Sequence, residues 1–119
     1  MRQEIKRYLA PRSLEEAVKA IATGDATVLC GGTDLTPQTD SGARRYAATL
    51  MNIRRVEGLN AILDVGDSIR IGTLTTVAEI RCNPTIRGTA PILADAAEHF
   101  ASDQIRNAAS IGGNLCNAS

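Results

Sequence analysis

Aromatic side chains are scarce in this chain, and the sequence also lacks the charge pattern that is typical of nucleic-acid-binding proteins. Its 119 residues contain Tyr8, Tyr46 and Phe100 but no tryptophan, which argues against a base-stacking surface for single-stranded nucleic acid. Thirteen basic and thirteen acidic side chains give a formal net charge of zero, so the basic footprint of nucleic-acid-binding proteins is missing too. We therefore expect no nucleic-acid partner.

The number and spacing of the cysteines argue against a disulfide framework and against a metal site. Cys30, Cys82 and Cys116 are widely spaced and form no C-x-x-C pair, so we expect no disulfide framework and assign no metal ligands. Reduced thiols are typical of cytoplasmic proteins, and we expect this chain to be one of them. No apolar run reaches membrane-spanning length, so we expect no membrane association.

What the sequence does contain is an apolar run that stops at two glycines. Thr27-Val28-Leu29 is followed by Cys30-Gly31-Gly32-Thr33-Asp34-Leu35. Glycine adopts positive φ without steric cost, so the chain can turn sharply here and point successive N–H groups into one concavity. Such a concavity suits a phosphate or pyrophosphate. On turn chemistry alone, an ordinary strand-ending turn is the favoured interpretation.

A second stretch of the same kind lies near the end of the sequence. Ser110-Ile111-Gly112-Gly113-Asn114 again combines a hydroxyl, an apolar residue, two glycines and a polar side chain. Two such stretches can hold a diphosphate from two sides. The same pattern is equally consistent with two ordinary loops that bind no ligand. The sequence ends shortly afterwards at Ser119, and because a domain seldom ends on such a loop we expect a truncated chain.

Capping patterns and hydrophobic periodicity predict alternating strands and helices. Ser13 and Glu16 have capping-box spacing at a helix start, as do Thr76 and Glu79. Gly66-Asp67 separates two apolar runs and predicts a hairpin. In chain order, the predicted elements are an edge strand ending at Pro11, a helix over 13–24, a strand over 27–30, a helical turn over 34–39, a strand over 48–53, a hairpin over 61–74, a helix over 76–82, a helix over 91–100 and strand-like pieces at 104–106 and 110–111.

Four stretches, taken in order, carry a family resemblance that covers nearly the whole chain. They are Tyr8-Leu9-Ala10-Pro11 with Ser13-Leu14-Glu15-Glu16-Ala17; Gly31-Gly32-Thr33-Asp34-Leu35; Ile71-Gly72-Thr73-Leu74-Thr75-Thr76 with Glu79-Ile80; and Gln104-Ile105-Arg106-Asn107 followed by Ser110-Ile111-Gly112-Gly113-Asn114-Leu115. Together they resemble the N-terminal part of the FAD-binding (medium) subunit of molybdenum hydroxylases, the family of xanthine dehydrogenase and carbon monoxide dehydrogenase.

The resemblance implies an α+β fold of the PCMH-like FAD-binding type. Residues 1–55 would form a small N-terminal α/β subdomain. Residues 56–119 would begin a second subdomain, a mainly antiparallel sheet with helices, which this truncated chain leaves incomplete. FAD is the implied cofactor, with its pyrophosphate between the two glycine stretches. The residues implied to bind or line FAD are Leu29, Cys30, Gly31, Gly32, Thr33, Asp34, Leu35, Phe100, Ala101, Ser110, Ile111, Gly112, Gly113 and Asn114.

The implied role is electron transfer in a molybdopterin-dependent dehydrogenase or hydroxylase, from iron–sulfur clusters through FAD to an acceptor such as NAD. The implied partners are a molybdopterin-binding large subunit and a [2Fe-2S] small subunit, and no catalytic acid or base is assigned here. We expect the fragment alone to be inactive and its exposed apolar surface to favour self-association. Two alternatives stay open: a protein-interaction fragment that keeps the fold without flavin, and a phosphate or nucleotide binder without redox function.

Three polar residues have both a functional and a structural interpretation. His99 lies at the predicted end of a helix, where a structural role against the helix dipole is favoured. Asp34 is a candidate helix N-cap as well as a cofactor contact. Arg106 is equally consistent with two roles. It could contact a cofactor phosphate or a neighbouring subunit, or it could lie on a surface strand.

Overall fold

The computed structural model describes residues 4–118, and within them the chain divides into two units between Glu57 and Gly58. The predicted edge-strand segment therefore starts outside the described residues, as does the last residue of the predicted second subdomain. The first unit contains β1 (Arg7–Leu9), α1 (Leu14–Ala22), β2 (Ala26–Leu29), α2 (Leu35–Asp40) and β3 (Thr49–Asn52). The second contains β4 (Ile62–Asp64), β5 (Ile69–Ile71), α3 (Val77–Cys82), α4 (Pro84–Thr89), α5 (Pro91–Glu98), α6 (Asp103–Ala108) and α7 (Ile111–Asn117).

The sheet of the first unit is parallel, with the strand order β1-β3-β2. Its central strand β3 carries Met51, which is fully buried and pairs in register with Leu9 on one side and Val28 on the other. The predicted edge strand and the two strands after it are confirmed. Because the strands are parallel, the chain segments that follow β2 and β3 leave the sheet at the same end, where the C-termini of the strands lie.

Helix α1 begins where the capping pattern predicts. The Ser13 hydroxyl accepts the N–H of Glu16 at 3.1 Å, and the Glu16 carboxylate accepts the N–H of Arg12 at 3.0 Å. The side chain of Glu16 therefore reaches one residue further back than in a regular capping box. Ala17 is buried against the rest of the unit.

The predicted hairpin is confirmed in the second unit. Strands β4 and β5 are antiparallel, and Val65 donates its N–H to the Ser68 carbonyl at 3.0 Å, which closes the loop at Gly66-Asp67. Gly66 has a φ of +96°, a backbone conformation that glycine adopts freely.

Helices supply the core of the second unit. Helix α3 has a full capping box, in which Glu79 donates its N–H to Thr76 Oγ1 at 3.1 Å and Thr76 donates its N–H to the Glu79 carboxylate at 2.7 Å. The core side chains come from α3, α4, α5 and the residue after α6: Val77, Ile80, Ile86, Ala94, Ala97 and Ala109. No helix among residues 4–118 is both long enough and apolar enough to cross a membrane.

Two predictions for this unit are wrong. Residues 104–106 are not strand-like but lie in helix α6, because Ser102 caps its start and accepts the N–H of Ile105. Ser110 forms only an isolated bridge with Thr76, and helix α7 begins directly after it. Helix α4 was not predicted from the sequence, and Pro84 is its first helical residue rather than a stop signal.

Candidate functional site

The first glycine stretch connects the end of β2 to the start of α2. Gly32 has a φ of +71°, and its carbonyl accepts the N–H of Thr36 at 3.0 Å. A Cβ atom on Gly32 would lie 3.2 Å from both the Leu29 Cδ1 atom and the Thr36 Oγ1 atom. The positive φ therefore favours glycine here, and a Cβ atom would in addition press against these two side-chain atoms.

The N–H groups of this stretch are not used for secondary structure. Among residues 4–118, the backbone N–H groups of Gly31, Gly32 and Thr33 have no hydrogen-bond acceptor. These residues are only half-buried, so their donors are not sealed inside the unit. Consecutive donors at a turn of this kind favour an anionic ligand.

The residues that flank this turn differ in burial. Leu35 is buried in the unit, whereas Leu29 and Cys30 are half-buried. Asp34 occupies the predicted N-cap position of α2, but its side chain makes no capping hydrogen bond. The capping role predicted for the Asp34 carboxylate is therefore wrong, although the helix does start where it was expected.

The second glycine stretch is the start of a helix, which is neither of the two interpretations that the sequence left open. Ser110 is the N-cap of α7, and its hydroxyl accepts the N–H of Gly113 at 3.1 Å. Ile111 donates to the Thr75 carbonyl at 3.0 Å and Gly112 to the Thr73 carbonyl at 2.9 Å. Asn114 donates its N–H to the Ser110 carbonyl at 3.0 Å. All four N–H groups of residues 111–114 are therefore donated within the chain, in contrast to those of the first stretch.

Phe100 and Ala101 form the turn between α5 and α6. Phe100 packs partly buried against the core of the second unit, and Ala101 is exposed with a φ of +47°. Arg106 lies beneath this turn, and its Nη1 atom is 2.8 Å from the Phe100 carbonyl oxygen. Arg106 is thus a helical residue that binds the backbone of the chain itself, and its predicted place on a surface strand is wrong. A Ser-Asp pair at 102–103, typical of a helix start, was the signal that could have revealed α6.

Charged residues from three helices surround this arginine. Arg106 hydrogen-bonds to Asp103 and attracts its carboxylate, which holds the pKa of Asp103 below its usual range; Arg81 adds a weaker attraction. Arg81 also bonds Glu98 at 2.6 Å, and this hydrogen bond raises the pKa of Arg81.

His99 caps the end of α5, with its Nδ1 atom 2.9 Å from the Asp95 carbonyl oxygen, as the structural interpretation predicts.

The donor set suits a phosphate-bearing cofactor better than a metal ion. Residues 4–118 contain no group of three or more histidine, cysteine or acidic side chains placed to hold a metal. The free N–H groups at 31–33 are donors, and these bind anionic oxygens.

Comparison with known proteins gives the family. The model of the family described as "FAD binding domain in molybdopterin dehydrogenase" matches residues 3–119. The chain is 35% identical over 112 residues to the nicotine 6-hydroxylase medium subunit of Paenarthrobacter nicotinovorans, covering 92% of this chain and 38% of that protein. It is 34% identical over 112 residues to the carbon monoxide dehydrogenase medium chain of Hydrogenophaga pseudoflava, covering 91% of this chain and 38% of that protein.

Solved structures agree with this assignment. The fold superposes with a TM-score of 0.92 on a chain of quinoline 2-oxidoreductase from Pseudomonas putida 86, at 29% identity, covering 100% of this chain and 42% of the other. The chain thus spans about two fifths of the length of the relatives it matches. The α+β fold and the FAD cofactor expected from the sequence are confirmed. The chain belongs to the family of FAD-binding domains of molybdopterin dehydrogenases.

Proposed function

We propose that the chain binds the diphosphate of FAD through the backbone of Cys30-Gly31-Gly32-Thr33-Asp34. The observation that carries this proposal is the set of N–H groups at Gly31, Gly32 and Thr33 that find no acceptor among residues 4–118. A positive-φ glycine in the middle of such a set forms the concavity in which phosphate oxygens bind. No lysine or arginine is required, because the backbone itself supplies the partial positive charge.

The second glycine stretch contributes differently under this proposal. Its N–H groups are donated within the chain, so its contribution comes from the side chains of Ser110 and Asn114 and from the apolar surface of Ile111. Gly112 and Gly113 then allow close packing and the helix start rather than offering free donors. The remaining residues proposed to line FAD are Leu29, Leu35, Phe100 and Ala101.

Bound FAD supplies the redox chemistry, while the chain's own residues bind and orient it. We propose that the subunit passes electrons from iron–sulfur clusters to an acceptor such as NAD, alongside a molybdopterin-binding large subunit and a [2Fe-2S] small subunit. The relatives' names support this proposal, because they describe a medium subunit and a medium chain. We also propose a cytoplasmic location, since the three cysteines carry free thiols.

A flavin titration tests the proposal. The purified chain, with any subunits that co-purify, is titrated with FAD while flavin fluorescence is followed, and ADP and FMN serve as competitors. Saturable binding in which ADP competes well and FMN poorly is the expected result, because ADP carries the diphosphate and FMN does not. A preparation that binds no FAD contradicts the proposal and favours the interaction-fragment alternative.

A further inference from the structure

Arg106 places a nearly buried cation under the Phe100–Ala101 turn. Its side chain is only 13% exposed. The Nη1 atom lies 2.8 Å from the Phe100 carbonyl oxygen and 3.3 Å from the carbonyl oxygens of both Glu98 and Ala101. A single nitrogen is therefore within hydrogen-bonding distance of three carbonyl oxygens, one at the end of α5 and two in the turn itself.

Of the other two guanidinium nitrogens, Nη2 is bound by an acidic residue of α6 and Nε is not bound within the described part of the chain. Nη2 lies 2.5 Å from Asp103 Oδ1, at the start of α6. The Nε atom is buried and has no acceptor among residues 4–118. Burying an arginine with one donor unsatisfied is costly, so the bonds to the turn must contribute enough to keep it there.

The backbone that these bonds hold is strained. Ala101 has a φ of +47°, a left-handed conformation that its Cβ makes unfavourable. The other positive-φ residue apart from glycine among residues 4–118 is Ala118, at the end of α7, where left-handed caps are common. Strained residues inside a turn persist only where the surroundings hold them, and they cluster at ligand sites.

We propose that Arg106 is a positioning residue for FAD, which holds the Phe100–Ala101 turn in the conformation that lines the cofactor. This inference rests on the proposed function, in which both residues of the turn line FAD. Arg106 itself does not contact the flavin. It acts through the carbonyl groups of the turn, while the Phe100 side chain stays anchored in the core.

The geometry requires arginine in particular. The planar fork lets Nη1 bind carbonyl oxygens while Nη2 binds Asp103. Lysine carries the same charge on a single nitrogen, so it can satisfy one side of this arrangement at a time. Glutamine keeps a donor of shorter reach and removes the charge.

The test compares variants by FAD affinity, measured by flavin fluorescence on the full chain with its co-purifying subunits. Arg106→Gln is expected to raise the Kd for FAD about tenfold, which corresponds to about 1.4 kcal/mol. Arg106→Lys is expected to lie between Arg106→Gln and the unmodified chain. Adding Ala101→Gly to Arg106→Gln is expected to recover at least about threefold in Kd, because glycine adopts the turn conformation without strain.

The matched control is Arg87→Gln. Arg87 also donates from its guanidinium to a backbone carbonyl, that of Arg81 at 2.8 Å, but lies outside the turn. The Kd of the Arg87→Gln variant for FAD is expected to equal that of the unmodified chain. In the flavin-free chain, the Phe100 N–H, which donates to the Ala97 carbonyl, is expected to exchange faster in Arg106→Gln than in Arg87→Gln.

Two results separate the inference from the proposed function. If the unmodified chain binds FAD and Arg106→Gln binds it equally well, the inference is overturned and the proposed function stands. Full recovery by lysine with no recovery by Ala101→Gly also overturns it, because that pattern indicates direct charge contact. If the unmodified chain binds no FAD, both the proposed function and the inference are overturned.

Discussion

Gly112 donates its N–H to the Thr73 carbonyl at 2.9 Å, across a contact that leaves no room for a side chain. A Cβ atom on Gly112 would lie 1.6 Å from Thr73 Oγ1 and 2.7 Å from the Thr73 carbonyl oxygen. The glycine therefore lets the start of α7 approach the segment after β5. This packing requirement explains Gly112 without any ligand.

Gly112→Ala is accordingly expected to destabilise the protein. Overpacking a close backbone contact costs about 1–3 kcal/mol or more, and here the obstacle includes the Thr73 backbone. Urea unfolding followed by circular dichroism measures the loss. Gly88→Ala is the control, since Gly88 lies in α4 with no atom within 4 Å of its added Cβ. It should stabilise the protein by up to about 1 kcal/mol through helix propensity. Equal effects of the two variants would contradict the packing explanation.

Ser110→Ala separates the capping role of Ser110 from its proposed cofactor role. The variant removes the acceptor for the Gly113 N–H, and loss of an N-cap costs about 0.5–2 kcal/mol. Ser13→Ala removes the equivalent cap of α1, where the hydroxyl accepts the Glu16 N–H. Both variants should lose similar stability in thermal unfolding, and only Ser110→Ala should weaken FAD binding. If Ser13→Ala weakens FAD binding as much, the effect reports lost stability and Ser110 has no cofactor role.

Asp103 makes the stability of the α5–α6 region pH-dependent. Its pKa is lower in the folded than in the unfolded chain, chiefly because of the hydrogen bond from Arg106. Folding therefore gains stability from this carboxylate above its unfolded pKa of about 3.9, and this gain is lost as the pH falls through the lower folded value. The free energy of unfolding, measured from pH 7 downwards, should fall less steeply below about pH 4 in Asp103→Asn than in the unmodified chain. Parallel curves would mean that the Asp103–Arg106 contact does not stabilise the fold.

Local signals in the sequence predicted much of the fold. Caps at Ser13 and Thr76, and the turn at Gly66-Asp67, act over a few residues, and each of these elements forms as expected. The Gln104-Ile105-Arg106 stretch misled because a single apolar residue between polar ones mimics strand alternation. Ile105 in fact packs against the core from a helix that Ser102 caps.

The two glycine stretches were harder to tell apart from sequence. Both combine two adjacent glycines with one hydroxyl residue, and for both the local pattern leaves a diphosphate-binding turn and an ordinary loop open. The second stretch differs because Thr73 and Thr75, far away in sequence, accept the N–H groups of Gly112 and Ile111. Such a long-range pairing leaves no trace in the local pattern. Family membership, by contrast, followed from four stretches in order, because their combination is far more specific than either glycine pair.

Gly32→Ala tests the first stretch against a glycine of similar conformation elsewhere. Gly32 and Gly42 both have positive φ, at +71° and +79°, so alanine at either position costs roughly 1–2 kcal/mol of stability. Only Gly32 adjoins the unpaired N–H groups, and its added Cβ would also crowd Leu29 Cδ1 at 3.2 Å. Gly32→Ala should therefore weaken FAD binding about tenfold or more, measured by flavin fluorescence at a temperature where both variants are folded. Gly42→Ala, with no atom within 4 Å of its Cβ, should bind FAD like the unmodified chain. If the two variants lose FAD affinity equally, the backbone of the first stretch does not hold the diphosphate.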